Sequence, residues 1–281
     1  MHTDDKARSL DRRKFIGLTG VAAAGVMLAD APAARAAPKR RWQPDGSNLP
    51  RLGLVAAAHD FNPESEIAIM NQGRTSIFAS RMPIRFTKEI LSDPTHADAA
   101  IDLLMRLEPR AILYASTSTS YYLGLDGETA FRTRLETRTK GIPVIFPAAA
   151  LAEAARAVGA RRIALVHPPW FADAPHALGE TYFTSRGFTV VSSKRVTPAR
   201  DLSEVPASEV HDWIVANTPR DAQAVVQAGN GLRAIGAIEV LEKSLGRPVI
   251  TANQALLWHG MRAARVTAPI KGYGSLMSAH T

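Results

Sequence analysis

Five consecutive hydroxyl side chains, Ser116-Thr117-Ser118-Thr119-Ser120, stand between a short apolar run, Ala111–Ala115, and a helical pattern, Tyr121–Lys140. In an open α/β sheet, ligands bind in the crevice outside the carboxyl ends of the strands. A helix N-terminus with free amides attracts carboxylate or phosphate. The five hydroxyls could therefore cradle an anion; the plainer alternative is that they cap the helix, a task that takes one oxygen. Four more strand ends carry chemistry. His59-Asp60 follows Leu52–Ala57 and could work as a general acid or base near neutral pH, or sit solvated in a turn. His167, before Pro168-Pro169-Trp170, could line a pocket or satisfy a carbonyl. Arg81 closes Thr75–Ser80 and could clamp a carboxylate through two parallel bonds, or pair with a surface acid. Gly229-Asn230-Gly231 would let backbone amides approach a ligand, or form an ordinary turn.

Several chemistries are excluded. The 281-residue chain has no cysteine, so thiol nucleophiles, thiolate metal sites and iron–sulfur clusters are ruled out. Its eight histidines show no HxH or HExxH spacing, and no metal is expected. No GxGxxG, GxxxxGK[ST] or GxSxG occurs; Gly229–Ala234 fits the dinucleotide fingerprint only loosely, and no acid ends the following strand. No cofactor is expected. The net charge of +8 is scattered rather than gathered in a basic, aromatic-interleaved block. It suits the steering of small anions and gives no nucleic-acid partner.

The elements that must position these residues alternate. Leu52–Ala57, Thr75–Ser80, Ala111–Ala115, Pro143–Phe146, Arg162–Val166, Thr189–Ser193, Ala224–Gln227 and Pro248–Thr251 read as strands. Asp93–Leu107, Ala148–Val158, Ser208–Asn217, Leu232–Leu245 and Gln254–Ala264 read as helices between or after them. Near-continuous apolar strands with helical crossovers imply a mostly parallel sheet covered on both faces. Gly141-Ile142-Pro143-Val144-Ile145 and Gly246-Arg247-Pro248-Val249-Ile250 end two helices alike and suggest two related halves. The expectation is an α/β protein of two pseudo-symmetric domains, each a mostly parallel sheet flanked by helices, with a cleft between them. The first would comprise residues 51–146 plus about 255–281, the second 147–254. Residues 37–50 read as a flexible lead-in. Residues 1–36 read as a twin-arginine (Tat) export signal: Arg12-Arg13-Lys14, an apolar run too short to span a bilayer, then Ala34-Arg35-Ala36. The mature protein is thus expected in the periplasm, without stable membrane insertion, and a homo-oligomer is compatible with the sequence.

At this point the strand-end residues resemble a known group. ILYASTSTSYYLG, GIPVIFPAAALAEAARAVGARRIALV, EVLEKSLGRPVITANQALLW and the closing Gly272-Tyr273-Gly274 resemble the aspartate/glutamate racemase superfamily, in its branch of maleate cis-trans isomerases and arylmalonate decarboxylases. The resemblance spans Arg51 to Leu276. It implies two α/β domains around a shared site and cofactor-free proton transfer or decarboxylation beside a carboxylate. The relatives usually use two cysteines, one per half; Ser116 stands at the first position here and Gly229 at the second. Thr117 and Ser118 match positions that hold a carboxylate or enediolate. The resemblance therefore implies an isomerase or lyase acting on a small carboxylic or dicarboxylic acid. Ser116, His59 and His167 are the candidates for chemistry, and Thr117, Ser118, Ser120, Arg81, Gly229, Asn230 and Gly231 those for binding. The alternative is a non-catalytic carboxylate-binding protein. A serine hydroxyl is a poor proton carrier at neutral pH without a base behind it.

Overall fold

The computed structural model describes residues 46, 48–82, 88–197 and 205–280; the expected export signal and most of the lead-in lie outside them. The described residues belong to one compact unit. Within it, β1 (Arg51–Ala57), β2 (Ser76–Met82), β3 (Ala111–Ala115) and β4 (Val144–Ile145) form one parallel sheet in the order β2-β1-β3-β4. The strands β5 (Arg162–His167), β6 (Thr189–Arg195), β7 (Ala224–Gln227) and β8 (Val249–Thr251) form a second in the order β6-β5-β7-β8. The two orders are the same, so the chain is an α/β protein of two like halves.

The central strands are buried along nearly their whole length because helices cover both faces. Those helices are α1 (Asn62–Asn71), α2 (Lys88–Ser92), α3 (Asp98–Met105), α4 (Thr117–Arg138) and α5 (Pro147–Ala157), then α6 (Asp173–Ser185), α7 (Ala207–Asn217), α8 (Ile238–Leu245), α9 (Ala252–Ala263) and α10 (Gly274–Ala279). The helix α9 leaves the second sheet yet packs on the first. A Cβ at Gly260 would lie 2.5 Å from Leu113 of β3, so the glycine permits this close approach.

Of the expectations that shift at element ends, four change the element most or move a candidate residue, besides the strand expected over 75–80, which runs over Ser76–Met82 and takes in Arg81. The helix expected from Tyr121 starts at Thr117 and is broken by non-helical backbone at Gly124 (φ 65°, ψ −172°), so the hydroxyls form an N-cap and a first turn rather than a loop. The strand β5 runs one residue further than expected and takes in His167. The pattern 232–245 divides into a 3₁₀ turn, Ile235–Ala237, and α8. Asp93–Leu107 contracts to α3, because residues 94–97 form turns. Helices α1 and α6 were not expected; each follows a strand-end loop and has a proline near its start.

Candidate active site

In each sheet the chain reverses its direction of winding between the first and third strands, β1/β3 and β5/β7. Such switch points leave a crevice at the carboxyl ends. The loops from both crevices face one cleft of about 350 Å³. The first half lines it with His59, Asp60, Phe61, Ala115, Ser116, Thr117, Ser118 and Tyr122. The second half contributes Trp170, Phe171, Ala172, Pro175, Gly229, Asn230 and Gly231. Of the residues expected at the site, His59, Ser116, Thr117, Ser118, Gly229, Asn230 and Gly231 are brought together.

Three are not. Arg81 lies in β2 and turns inward against the chain, donating to the carbonyls of Ala57 (2.9 Å) and Asp60 (2.7 Å) and pairing with Glu64. It shapes the β1–α1 loop rather than clamping a ligand. Ser120 is fully buried beneath the first turn of α4. His167 is also fully buried, its Nε2 3.1 Å from the Tyr121 hydroxyl and its Nδ1 2.9 Å from His176 Nδ1. Burial, reinforced by His176 and Arg195, pushes its pKa down to about 3, so the ring is neutral. Its ring stacks on Phe171 at 5.4 Å and thereby props a wall of the cleft from behind.

Asn230 and Thr117 lock the halves together. Asn230 Oδ1 accepts from the Thr117 amide (3.0 Å) and hydroxyl (2.8 Å), and the same hydroxyl accepts from the Gly229 amide (3.2 Å). Behind them, Asn230 Nδ2 donates to Asn253 Oδ1 (2.8 Å), and Asn253 Nδ2 donates to Glu66 Oε2 (2.8 Å). Glu66 Oε1 accepts the amides of Ala234 (2.9 Å) and Ile235 (3.2 Å). Backbone N–H groups thus feed donors into this chain from both ends, which can close only on a group that accepts alone. An ionised carboxylate is such a group and a carboxamide is not. Burial nonetheless raises the Glu66 pKa, opposed by the bonds from Asn253, Ala234 and Ile235.

Glu66, Asn62 and Asn253 escape sequence reasoning because the bonds that join them run between distant parts of the chain: Asn62 Nδ2 reaches the Asn230 carbonyl (3.0 Å) and Glu66 the Ala234 amide across 168 residues, and Asn253 reaches Glu66 across 187. Only the start of α9 carries a local signal: Thr251 and Gln254 form a capping box, the S/T-x-x-Q pattern of a helix start.

The α4 N-cap, Ser116, makes no side-chain capping bond, so the amides of Ser118 and Thr119 stand at the open end of the helix without intrahelical acceptors. Opposite them the backbone is bare at Gly229 and Gly231. Gly229 has φ +93°, and a Cβ there would fall 2.3 Å from Pro168 Cγ, so no side chain fits. A Cβ at Gly231 would meet Trp170 at 3.2 Å and the two Asp60 carboxylate oxygens at 3.5 and 3.6 Å. Asp60 is aimed there by the Asn62 amide, which donates to its Oδ1 (3.1 Å). Burial raises the Asp60 pKa, opposed by that amide and by the neighbouring His59 and Arg81. Among the described residues, no group of three His, Asp or Glu side chains could hold a metal ion, and no helix is long and apolar enough to cross a membrane.

A pair of parallel α/β sheets of like order, sharing one cleft at their switch points, defines the Asp/Glu racemase-like class of folds. Within it, the model of the arylmalonate decarboxylase family matches residues 95–277, and the chain belongs to that family. It is 26% identical to a maleate isomerase of Pseudomonas putida over 252 residues, 83% of this chain and 98% of that protein. It is also 26% identical to an arylmalonate decarboxylase of Bordetella bronchiseptica over 188 residues, 64% of this chain and 77% of that one. The fold matches the crystal structure of the maleate isomerase Iso from Pseudomonas putida S16 with a TM-score of 0.75 at 24% identity, covering 83% of this chain and 100% of that one.

Proposed function

We propose that the protein is a cofactor-independent lyase or isomerase that forms or quenches a carbanion beside the carboxylate of a small organic acid. The observation that carries this reading is the cleft itself. An open helix end bearing Ser116 and Ser118 faces a loop with glycines at 229 and 231 and the Asn230 side chain engaged by Thr117 and Asn253, on the scaffold of a family whose relatives are decarboxylases and isomerases. A carboxylate placed on the Ser118 and Thr119 amides gains from the helix end. When the bond to carbon dioxide or a proton breaks, the electron pair passes into that carboxylate as an enediolate. Preorganised amides facing such charge contribute on the order of 10²–10³ in rate each.

The aromatic lining of Phe61, Tyr122, Trp170 and Phe171 favours an apolar substituent on the acid. Among the described residues, none that lines the cleft is an arginine or lysine that could hold a second carboxylate, so a substituted malonate that loses one carboxylate suits this lining better than a dicarboxylate that must keep both. With His167 sealed off, Ser116, His59 and Asp60 remain to handle the proton. The expected signal at residues 1–36 would put this reaction in the periplasm, which cell fractionation tests.

The decisive assay is proton NMR in deuterium oxide with phenylmalonate, maleate and aspartate. Loss of carboxylate, isomerisation or deuterium uptake supports an enzyme. Silence on all three, with one of them raising the melting temperature, would replace this reading by a carboxylate-binding protein. If Ser118→Pro, which removes one of the two carboxylate-binding amides within a first helical turn that tolerates proline, left every response unaltered, the placement of the carboxylate would be wrong.

A further inference from the structure

His96 lies outside the cleft, half-buried on the turn before α3, yet a path of hydrogen bonds leads from it to Ser116. Its Nε2 bonds to the Tyr114 hydroxyl, and its Nδ1 to the backbone carbonyl of Asp93. The Tyr114 hydroxyl lies 3.5 Å from Thr119 Oγ1, and Thr119 Oγ1 lies 2.8 Å from Ser116 Oγ. The middle of the path is dry: Tyr114 and Thr119 are fully buried, and the Tyr114 ring stacks on Phe146 at 4.6 Å. Only its ends meet other surroundings, His96 towards solvent and Ser116 at the cleft.

Resting on the reading of the cleft given above, we propose that His96, Tyr114, Thr119 and Ser116 form a proton relay. Ser116 exchanges a proton with the substrate carbon, and His96 exchanges one with solvent. The polarity of the path follows from the Asp93 carbonyl, which can only accept. His96 Nδ1 must therefore carry a hydrogen, and in the neutral ring Nε2 is the acceptor. Tyr114 then donates to Nε2, while Thr119 donates to Ser116; turning the Thr119 hydroxyl towards Tyr114 lets Ser116 donate to Thr119 in its place, which makes the serine hydroxyl ready to lose its proton. When His96 is doubly protonated, Nε2 donates to Tyr114, Tyr114 to Thr119 and Thr119 to Ser116, and the Ser116 hydrogen points into the cleft. In the delivering direction the carbon–carboxylate bond breaks to release carbon dioxide, and its electron pair enters the remaining carboxylate. The Ser116 proton then forms the new C–H bond. Thr119 reprotonates Ser116, Tyr114 reprotonates Thr119, Nε2–H reprotonates Tyr114, and solvent restores the imidazolium. Proton abstraction is the same sequence run backwards, and no oxidant or cofactor enters. The relay answers the need of a lone serine for a base behind it.

Asp93, Asp98 and Arg134 face His96, and the Phe131 ring lies 5.3 Å away. Burial lowers the His96 pKa most and the two aspartates oppose it, so the neutral, base-ready ring prevails at neutral pH.

The test needs only the mature protein. Nitrogen-15 histidine NMR without substrate is expected to show His96 protonated at Nδ1 and bare at Nε2; the opposite tautomer overturns the relay. With phenylmalonate, Tyr114→Phe and Thr119→Val each cut the path while keeping its shape. Each is expected to lower kcat by about 10²-fold or more, the range of general acid–base catalysis, with KM little changed. Delivery needs the imidazolium, so wild-type kcat should fall as pH rises through the His96 pKa, and both variants should lose that limb. Turnover within about twofold of wild type in a folded variant overturns the relay and leaves the functional reading standing. If Tyr114→Phe fails to fold, Thr119→Val decides. A wild-type protein silent on phenylmalonate contradicts the functional reading instead, and the tautomer then judges the relay alone.

Discussion

The two halves share a strand order but not a chemistry. Among the described residues that line the cleft, the side chains that can carry a proton (His59, Asp60, Ser116, Thr117, Ser118 and Tyr122) come from the first half. From the second come aromatic and aliphatic walls, the Asn230 amide locked into the interface, and bare backbone at Gly229 and Gly231. At equivalent switch points, one half therefore presents Ser116 with a path to His96, and the other presents a glycine that Pro168 closes off. The asymmetry points to protons moving on one side of the substrate only.

The most disruptive way to break this comparison is to put a side chain on the second half. Gly229→Ala combines a positive φ with a Cβ 2.3 Å from Pro168 Cγ and should cost about 3 kcal/mol or more in urea denaturation. Adding Pro168→Ala should recover part of that loss; no recovery would mean that backbone strain alone is responsible.

A change on the other side should leave the fold and remove the chemistry. Ser116→Ala is expected to lower kcat by about 10²–10⁴-fold while the melting temperature moves little, read by NMR and thermal denaturation.

The lock between the halves is next. Glu66→Gln points a donor at donors and should cost about 1–3 kcal/mol. In the wild type, burial raises the Glu66 pKa above the unfolded value of 4.5, so the folded state holds its proton to higher pH than the unfolded one. The resulting extra stability is full below pH 4.5 and is lost as pH rises through the folded pKa; in Glu66→Gln that slope should be absent.

The smallest effect is expected at the rim. Arg81 is about one-third exposed, and Arg81→Met should cost roughly 1 kcal/mol or less from its ion pair while loosening the loop that holds His59 and Asp60. Raised KM with this small loss of stability would be the signature.

How much of this was legible in the sequence follows from range. Strands Ala111–Ala115 and Ala224–Gln227 are marked by local apolar runs and agree with the structure to the residue. The strand-end loops were legible for the same reason, as was the resemblance carried by ILYASTSTSYYLG. His167 was misjudged because one extra strand residue turns a loop histidine into a core one. Asn230 reads as a free ligand until its partner Thr117, 113 residues away, is seen to hold it. The path from His96 to Ser116 joins two turns through a core tyrosine, and no local pattern announces it.

The most direct test of one-sided proton handling is the decarboxylation of methylphenylmalonate, whose product gains a stereocentre from the face that receives the proton. One-sided proton handling gives 2-phenylpropionate of a single configuration, with no racemisation when either enantiomer is incubated with the protein. A racemic product, or interconversion of the added enantiomers, would show proton-carrying groups on both faces and contradict it.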